Sequence, residues 1–112
     1  SGLTRTQVKA MFEEAFSSTV LLAEDGAIGW DVLSKNPDVE LIVSDIEMPG
    51  MNGVEFVQKI RGSEQFMYLP IIVMSTLGQV KERDDALNSG ADAFIEKPVT
   101  TETLQRLIRD IW

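Results

Sequence analysis

The sequence predicts an α/β layer fold on a parallel sheet, and three observations predict it. Strand-like and helix-like stretches alternate along the whole chain. The strand cores at 41–43 and 71–74 are continuously apolar rather than alternating, as in strands covered on both faces. The 112 residues suit one domain with one connected interior. Alternating order with two-sided burial implies parallel strands joined by right-handed helical crossovers.

The elements follow in order. Residues 3–16 have Val8, Met11, Phe12, Ala15 and Phe16 at helical spacing, with Lys9, Glu13 and Glu14 opposite. Residues 19–23 are a short strand closed by Glu24-Asp25-Gly26, and 27–35 are a helix stopped by Asn36-Pro37. The second strand covers 40–44, and the helix at 53–61 turns Val54, Val57 and Ile60 inward. Pro70 opens a third strand at 71–75. Residues 79–88 form a charge-rich helix with few apolar anchors (Val80, Leu87), ending at Asn88-Ser89-Gly90. The fourth strand is 93–96, closed by Lys97-Pro98, and Thr101 caps a last helix carrying Leu104, Leu107, Ile108 and Ile111. Four strands and five helices result.

Composition removes several functions. The net charge of -8 argues against nucleic-acid binding by this domain, since phosphate binding needs clustered Lys and Arg. There is no Cys, hence no disulfide and no thiolate metal site, and no His, the commonest general base. Chemistry must rest on Asp, Glu, Lys, Ser or Thr. No apolar run reaches the length of a membrane span and no signal peptide is visible, so the expected location is cytoplasmic, away from membranes.

In a parallel sheet the C-terminal strand ends share one edge, where α/β proteins place their sites. The tips here carry Asp45, then Ser75 and Thr76, then Lys97. A carboxylate can attack phosphorus and form an acyl phosphate. The transferred group carries charge on its equatorial oxygens. Lys97 supplies a point charge, Ser75 a hydroxyl, and the 46–50 and 75–78 turns backbone N–H groups. Each residue also has a plainer role: Asp45 capping a turn, Ser75 capping the next helix, Lys97 a solvated loop lysine. Their joint placement argues for a shared site.

With these residues in view, the chain resembles the receiver domain of two-component response regulators, over essentially its whole length, in a flavodoxin-like fold. "SDIEMPGMNG" resembles the family's phosphoacceptor loop, with Asp45 as acceptor. "LPIIVMSTLG" puts Ser75 at the Ser/Thr switch position. "GADAFIEKPV" puts Phe94 at the aromatic switch position and Lys97 at the family's lysine, and "AEDGAIGWDVL" matches the usual second strand and helix. The resemblance implies a phosphorelay receiver that accepts a phosphoryl group on Asp45 from a sensor histidine kinase or phosphotransfer protein. It implies a switching face on the fourth helix, last strand and last helix, and no turnover of a small molecule. It also implies Mg²⁺ held by Asp45 and the backbone carbonyl of Glu47. The alternative from another class is a pseudo-receiver, an interaction or dimerisation module that takes no phosphate. A flavodoxin-like cofactor binder is disfavoured, because no Ser/Thr/Gly-rich cradle follows the first strand.

One departure carries consequences. Family members begin with a strand ending in an acidic pair that binds Mg²⁺, whereas "SGLTRTQVKAMF" resembles the start of their first helix. Residues 1–112 are thus expected to be an N-terminally incomplete receiver domain, with Mg²⁺ binding weakened. Glu24 and Asp25 are poor substitutes, being part of a turn. With the family's strand order 2-1-3-4-5, the missing strand is central, and strands 19–23 and 40–44 would stand roughly 9.6 Å apart. Their facing backbone groups would be buried and unpaired, at about 1–3 kcal/mol each. The sheet must therefore close by direct pairing, by another copy in a homodimer or strand-exchanged oligomer, or by an N-terminal segment. Association or an altered sheet is expected over an ordinary one.

Overall fold

A computed structural model describes residues 4–16, 19–48, 51–76 and 79–111, and of Arg5, Phe16, Ile108 and Ile111 the backbone alone. Its elements are α1 (Arg5–Phe16), β1 (Val20–Ala23), α2 (Gly26–Lys35), β2 (Leu41–Asp45), α3 (Gly53–Arg61), β3 (Ile71–Ser75), α4 (Val80–Ser89), β4 (Ala93–Glu96) and α5 (Thr101–Ile111). The four strands form one parallel sheet in the order β1-β2-β3-β4.

This order answers the question of the missing strand. Val20 pairs with Leu41, Leu21 with Ile42, Leu22 with Val43 and Ala23 with Ser44. The Glu40 N–H donates to the Thr19 carbonyl at 2.8 Å, extending the ladder past the first pair. The two strands lie side by side, with no gap between them. Direct pairing satisfies the facing backbone groups whose burial would otherwise destabilise the domain.

Successive residues of each strand face opposite layers. Ile42, Ile71 and Val73 join Leu33, Phe56, Val57, Ile60 and Ala86 in the layer under α2, α3 and α4. Leu41, Val43, Ile72 and Met74 join Val8, Phe12, Val99 and Leu104 in the layer under α1 and α5. Several details depart from expectation. Ala15 is exposed, and Phe56, not singled out in the sequence, is fully buried. Within α4 Ala86 is buried while Val80 and Leu87 are exposed, so that helix is as thinly anchored as its composition predicts. Thr101 lies inside α5, and the cap is Thr100, whose Oγ1 accepts from the Thr103 N–H at 3.1 Å.

Candidate functional site

Asp45 is the last residue of β2, and its position is fixed on three sides. The Ile46 N–H donates to the Met74 carbonyl at 2.9 Å, so the ladder to β3 runs past Asp45 rather than stopping before it. The neighbouring Ser44 hydroxyl donates to the carbonyl of Asp45 at 2.9 Å. Gly53, the first residue of α3, presses against the same carbonyl. A Cβ there would lie 2.6 Å from the Asp45 oxygen and 2.6 Å from Ile46 Cα, so only glycine admits α3 this close. The start of α3 is capped by Asn52, which exchanges bonds with Glu55 in a capping box. Asp45 is therefore not the cap of α3.

The Asp45 side chain is buried, and Lys97 Nζ stands 2.5 Å from its Oδ1. Lys97 is delivered by the end of β4: its N–H donates to the Ser75 carbonyl at 2.7 Å, and a cis peptide bond to Pro98 follows. Lys97 is thus not a solvated loop residue. The contact is an ion pair without hydrogen-bond alignment, and Oδ1 receives no directed hydrogen bond. A buried carboxylate oxygen balanced by charge alone retains lone-pair capacity for chemistry.

Ser75, fully buried at the tip of β3, does not cap α4, whose N-cap is Gln79. Its Oγ lies 2.6 Å from Glu47 Oε1 and 2.7 Å from Glu82 Oε1. A hydroxyl carries one hydrogen and can donate it to one acceptor at a time, so the two carboxylates compete for it. The resemblance points to Glu47 through its backbone carbonyl, and its carboxylate in addition meets Ser75. Glu82 was legible only as one charge of a charged helix. A hint lay in its spacing, seven residues beyond Ser75 and in the first turn of the next helix. Phe94, opposite Val73 in the ladder, is half-buried against the layer that contains Ala86. Among the turn donors expected to complete the site, those of residues 49–50 and 77–78 lie outside the described residues.

The donor set does not suit Mg²⁺, which wants octahedral oxygen coordination with carboxylate ligands. Among the described residues no three acidic side chains converge on a point. Asp45 is paired with Lys97 and Glu47 with Ser75. Asp25 is occupied as the N-cap of α2, accepting from the Ala27 and Ile28 N–H groups at 2.9 and 3.0 Å. It makes no substitute for an acidic pair.

Fold and site together define a class: a doubly covered parallel sheet presenting one buried carboxylate, with a lysine on it, at its C-terminal edge. The chain belongs to the response regulator receiver domain family, whose model matches residues 1–109. It is 36% identical over 111 residues to a chemotaxis protein CheY homolog of Campylobacter jejuni subsp. jejuni, covering 99% of this chain and 85% of that protein. Among solved structures it is similar to chemotaxis protein CheY4 of Vibrio cholerae, with a TM-score of 0.79 and 28% identity over 96% of this chain and 88% of the other. The receiver domain of a sensor histidine kinase from Pseudomonas aeruginosa, solved with a magnesium ion in its active-site cleft, shares the fold. Its TM-score is 0.70 at 21% identity, covering 95% of this chain and 86% of that one. No helix among the described residues is long and apolar enough to cross a membrane.

Proposed function

We propose that this domain is a cytoplasmic phosphorelay receiver in which Asp45 accepts a phosphoryl group from a phosphohistidine of a sensor histidine kinase or phosphotransfer protein. One observation carries the reading: a buried carboxylate at the sheet edge with the Lys97 ammonium 2.5 Å away and no directed hydrogen bond on that oxygen. In the transfer, an Asp45 oxygen forms the new O–P bond as the N–P bond of the donor breaks. The electron pair leaves on the imidazole nitrogen, which takes a proton from solvent. Lys97 offsets the carboxylate charge before transfer and the phosphoryl charge after it. The domain acts as a switch rather than a catalyst of small-molecule turnover. Ser75 and Phe94 pass the change to a face formed by α4, β4 and α5. The receiver likeness and the naming of its relatives for chemotaxis support a signalling role.

A second reading is favoured by the donor set around Asp45, which among the described residues lacks the carboxylates Mg²⁺ needs. In that reading the domain is a pseudo-receiver, an interaction or dimerisation module that keeps Asp45 paired with Lys97. One experiment separates the two. The protein and Asp45→Asn are incubated with acetyl phosphate, with and without Mg²⁺, and weighed intact by mass spectrometry. Gain of one phosphoryl group by the unaltered protein alone supports the receiver. Equal gain by both refutes Asp45 as acceptor, and no gain by either supports the pseudo-receiver.

A further inference from the structure

From the bond between Ser75 and Glu82 we infer that Glu82 is a positioning residue that fastens the first turn of α4 to the tip of β3. Its release is the step that couples a phosphoryl group on Asp45 to movement of α4. The coupling half of this inference rests on the receiver reading above; the fastening half does not.

Among the described residues, little else holds the start of α4. Its N-cap, Gln79, makes no side-chain capping bond, so the orphan N–H groups of the first turn lack the usual acceptor. Val80, the first helical residue, is 63% exposed, and Ala86, in the second half, is the helix's buried residue. The other end is fastened separately. The Ala91 N–H donates to the Ala86 carbonyl at 3.1 Å, and Arg61 Nε donates to the Gly90 carbonyl at 2.9 Å. Between these ends, the 2.7 Å contact of Glu82 Oε1 with Ser75 Oγ joins the N-terminal turn to a fully buried strand residue.

The proton count makes this fastening reversible. Ser75 has one hydroxyl hydrogen, already contested by Glu47 and Glu82. A phosphoryl group on Asp45 adds acceptor oxygens of higher charge. When Ser75 donates to one of them, neither glutamate receives the hydrogen. Two carboxylates that touched the same oxygen then face each other, and the new phosphoryl charge, without it. Like-charge repulsion then acts on the first turn of α4, whose N-cap makes no side-chain capping bond.

The test is hydrogen exchange of the amides of residues 83–86, measured on the unaltered chain and on Glu82→Ala, Glu82→Gln, Ser75→Ala and the Ser75→Ala/Glu82→Ala double variant. Without phosphorylation, Glu82→Ala and Ser75→Ala are each expected to speed exchange roughly tenfold, since a hydrogen bond to a charged group is lost. Glu82→Gln, which keeps an acceptor oxygen, is expected to restore most of the protection, and the double variant to exchange no faster than either single one. Wild-type protection in Glu82→Ala overturns the inference. So does an equal effect of Glu82→Ala with or without Ser75, which would make Glu82 a matter of helix electrostatics alone. After treatment with acetyl phosphate, the unaltered chain is expected to show the same acceleration and Glu82→Ala no further change. Phosphorylated protein with unchanged exchange at 83–86 overturns the coupling. A chain that takes no phosphoryl group overturns the receiver reading instead, and the unphosphorylated comparison still decides whether Glu82 holds α4.

Discussion

Two acid–base pairs close the two ends of the sheet, and they are built differently. At the N-terminal edge Arg61 donates to the carbonyls of Gly90 (2.9 Å), Met67 (2.8 Å) and Leu69 (2.6 Å) and to Asp92 Oδ2 (2.9 Å). Asp92 Oδ2 also accepts from the Ile71 N–H at 2.8 Å, so the pair ties together α3, the loop before β3, the end of α4 and the start of β4. Gly90 fits beside it with a φ of 121°, and a Cβ there would meet Arg61 Cγ at 2.8 Å. At the C-terminal edge Lys97 meets Asp45 through one ion pair, and the carboxylate oxygen it faces receives no directed hydrogen bond. The guanidinium fork is satisfied in several directions and holds its neighbours still. The ammonium acts as a point charge and leaves the carboxylate available. The same two charge types thus make a fastener at one end and, at the other, a carboxylate oxygen without a directed hydrogen bond.

The sharpest way to break this contrast is to remove each cation in turn. Arg61→Ala should be the most damaging, because it breaks four hydrogen bonds at once, two of them to part-buried carbonyls. A loss of about 2–4 kcal/mol in urea unfolding is expected, with phosphoryl uptake per folded molecule unchanged. Lys97→Ala should cost less, about 1–2 kcal/mol, because it removes a single ion pair whereas Arg61 makes four hydrogen bonds. Its larger effect should be on the response: Asp45 left without its counter-charge should give a weaker change in α4 exchange on phosphorylation. If Lys97→Ala destabilises more than Arg61→Ala, the assignment of fastener and reactive end is reversed. Asp45→Asn should have the smallest effect on stability, within about 1 kcal/mol, since Lys97 can turn to solvent.

The fold, and the meeting of Asp45 with Lys97, were legible in the sequence for a definite reason. Continuous apolar runs at 41–43 and 71–74 mark doubly covered strands whatever their order. Parallel strands then bring Asp45 and Lys97 to one edge without any need to know side-chain detail. The sheet order was less legible. Local pattern says which residues are strands, but it does not say whether β1 pairs with β2 directly or across another strand. Ser75's partners were not legible at all. Glu82 reaches it only because α4 packs with that turn over the tip of β3, and helix phase relative to a sheet is a property of the assembled layers. Arg61 and Asp92 are 31 residues apart and meet for the same reason.

The most direct measurement locates the acceptor chemically. Treating the phosphorylated protein with borohydride reduces an aspartyl phosphate to homoserine, and peptide mass sequencing then names the residue. The account predicts homoserine at position 45 and nowhere else, with no such product in Asp45→Asn. Reduction at any other aspartate, or a stable phosphoryl group on a serine or threonine with Asp45 unmodified, would contradict it.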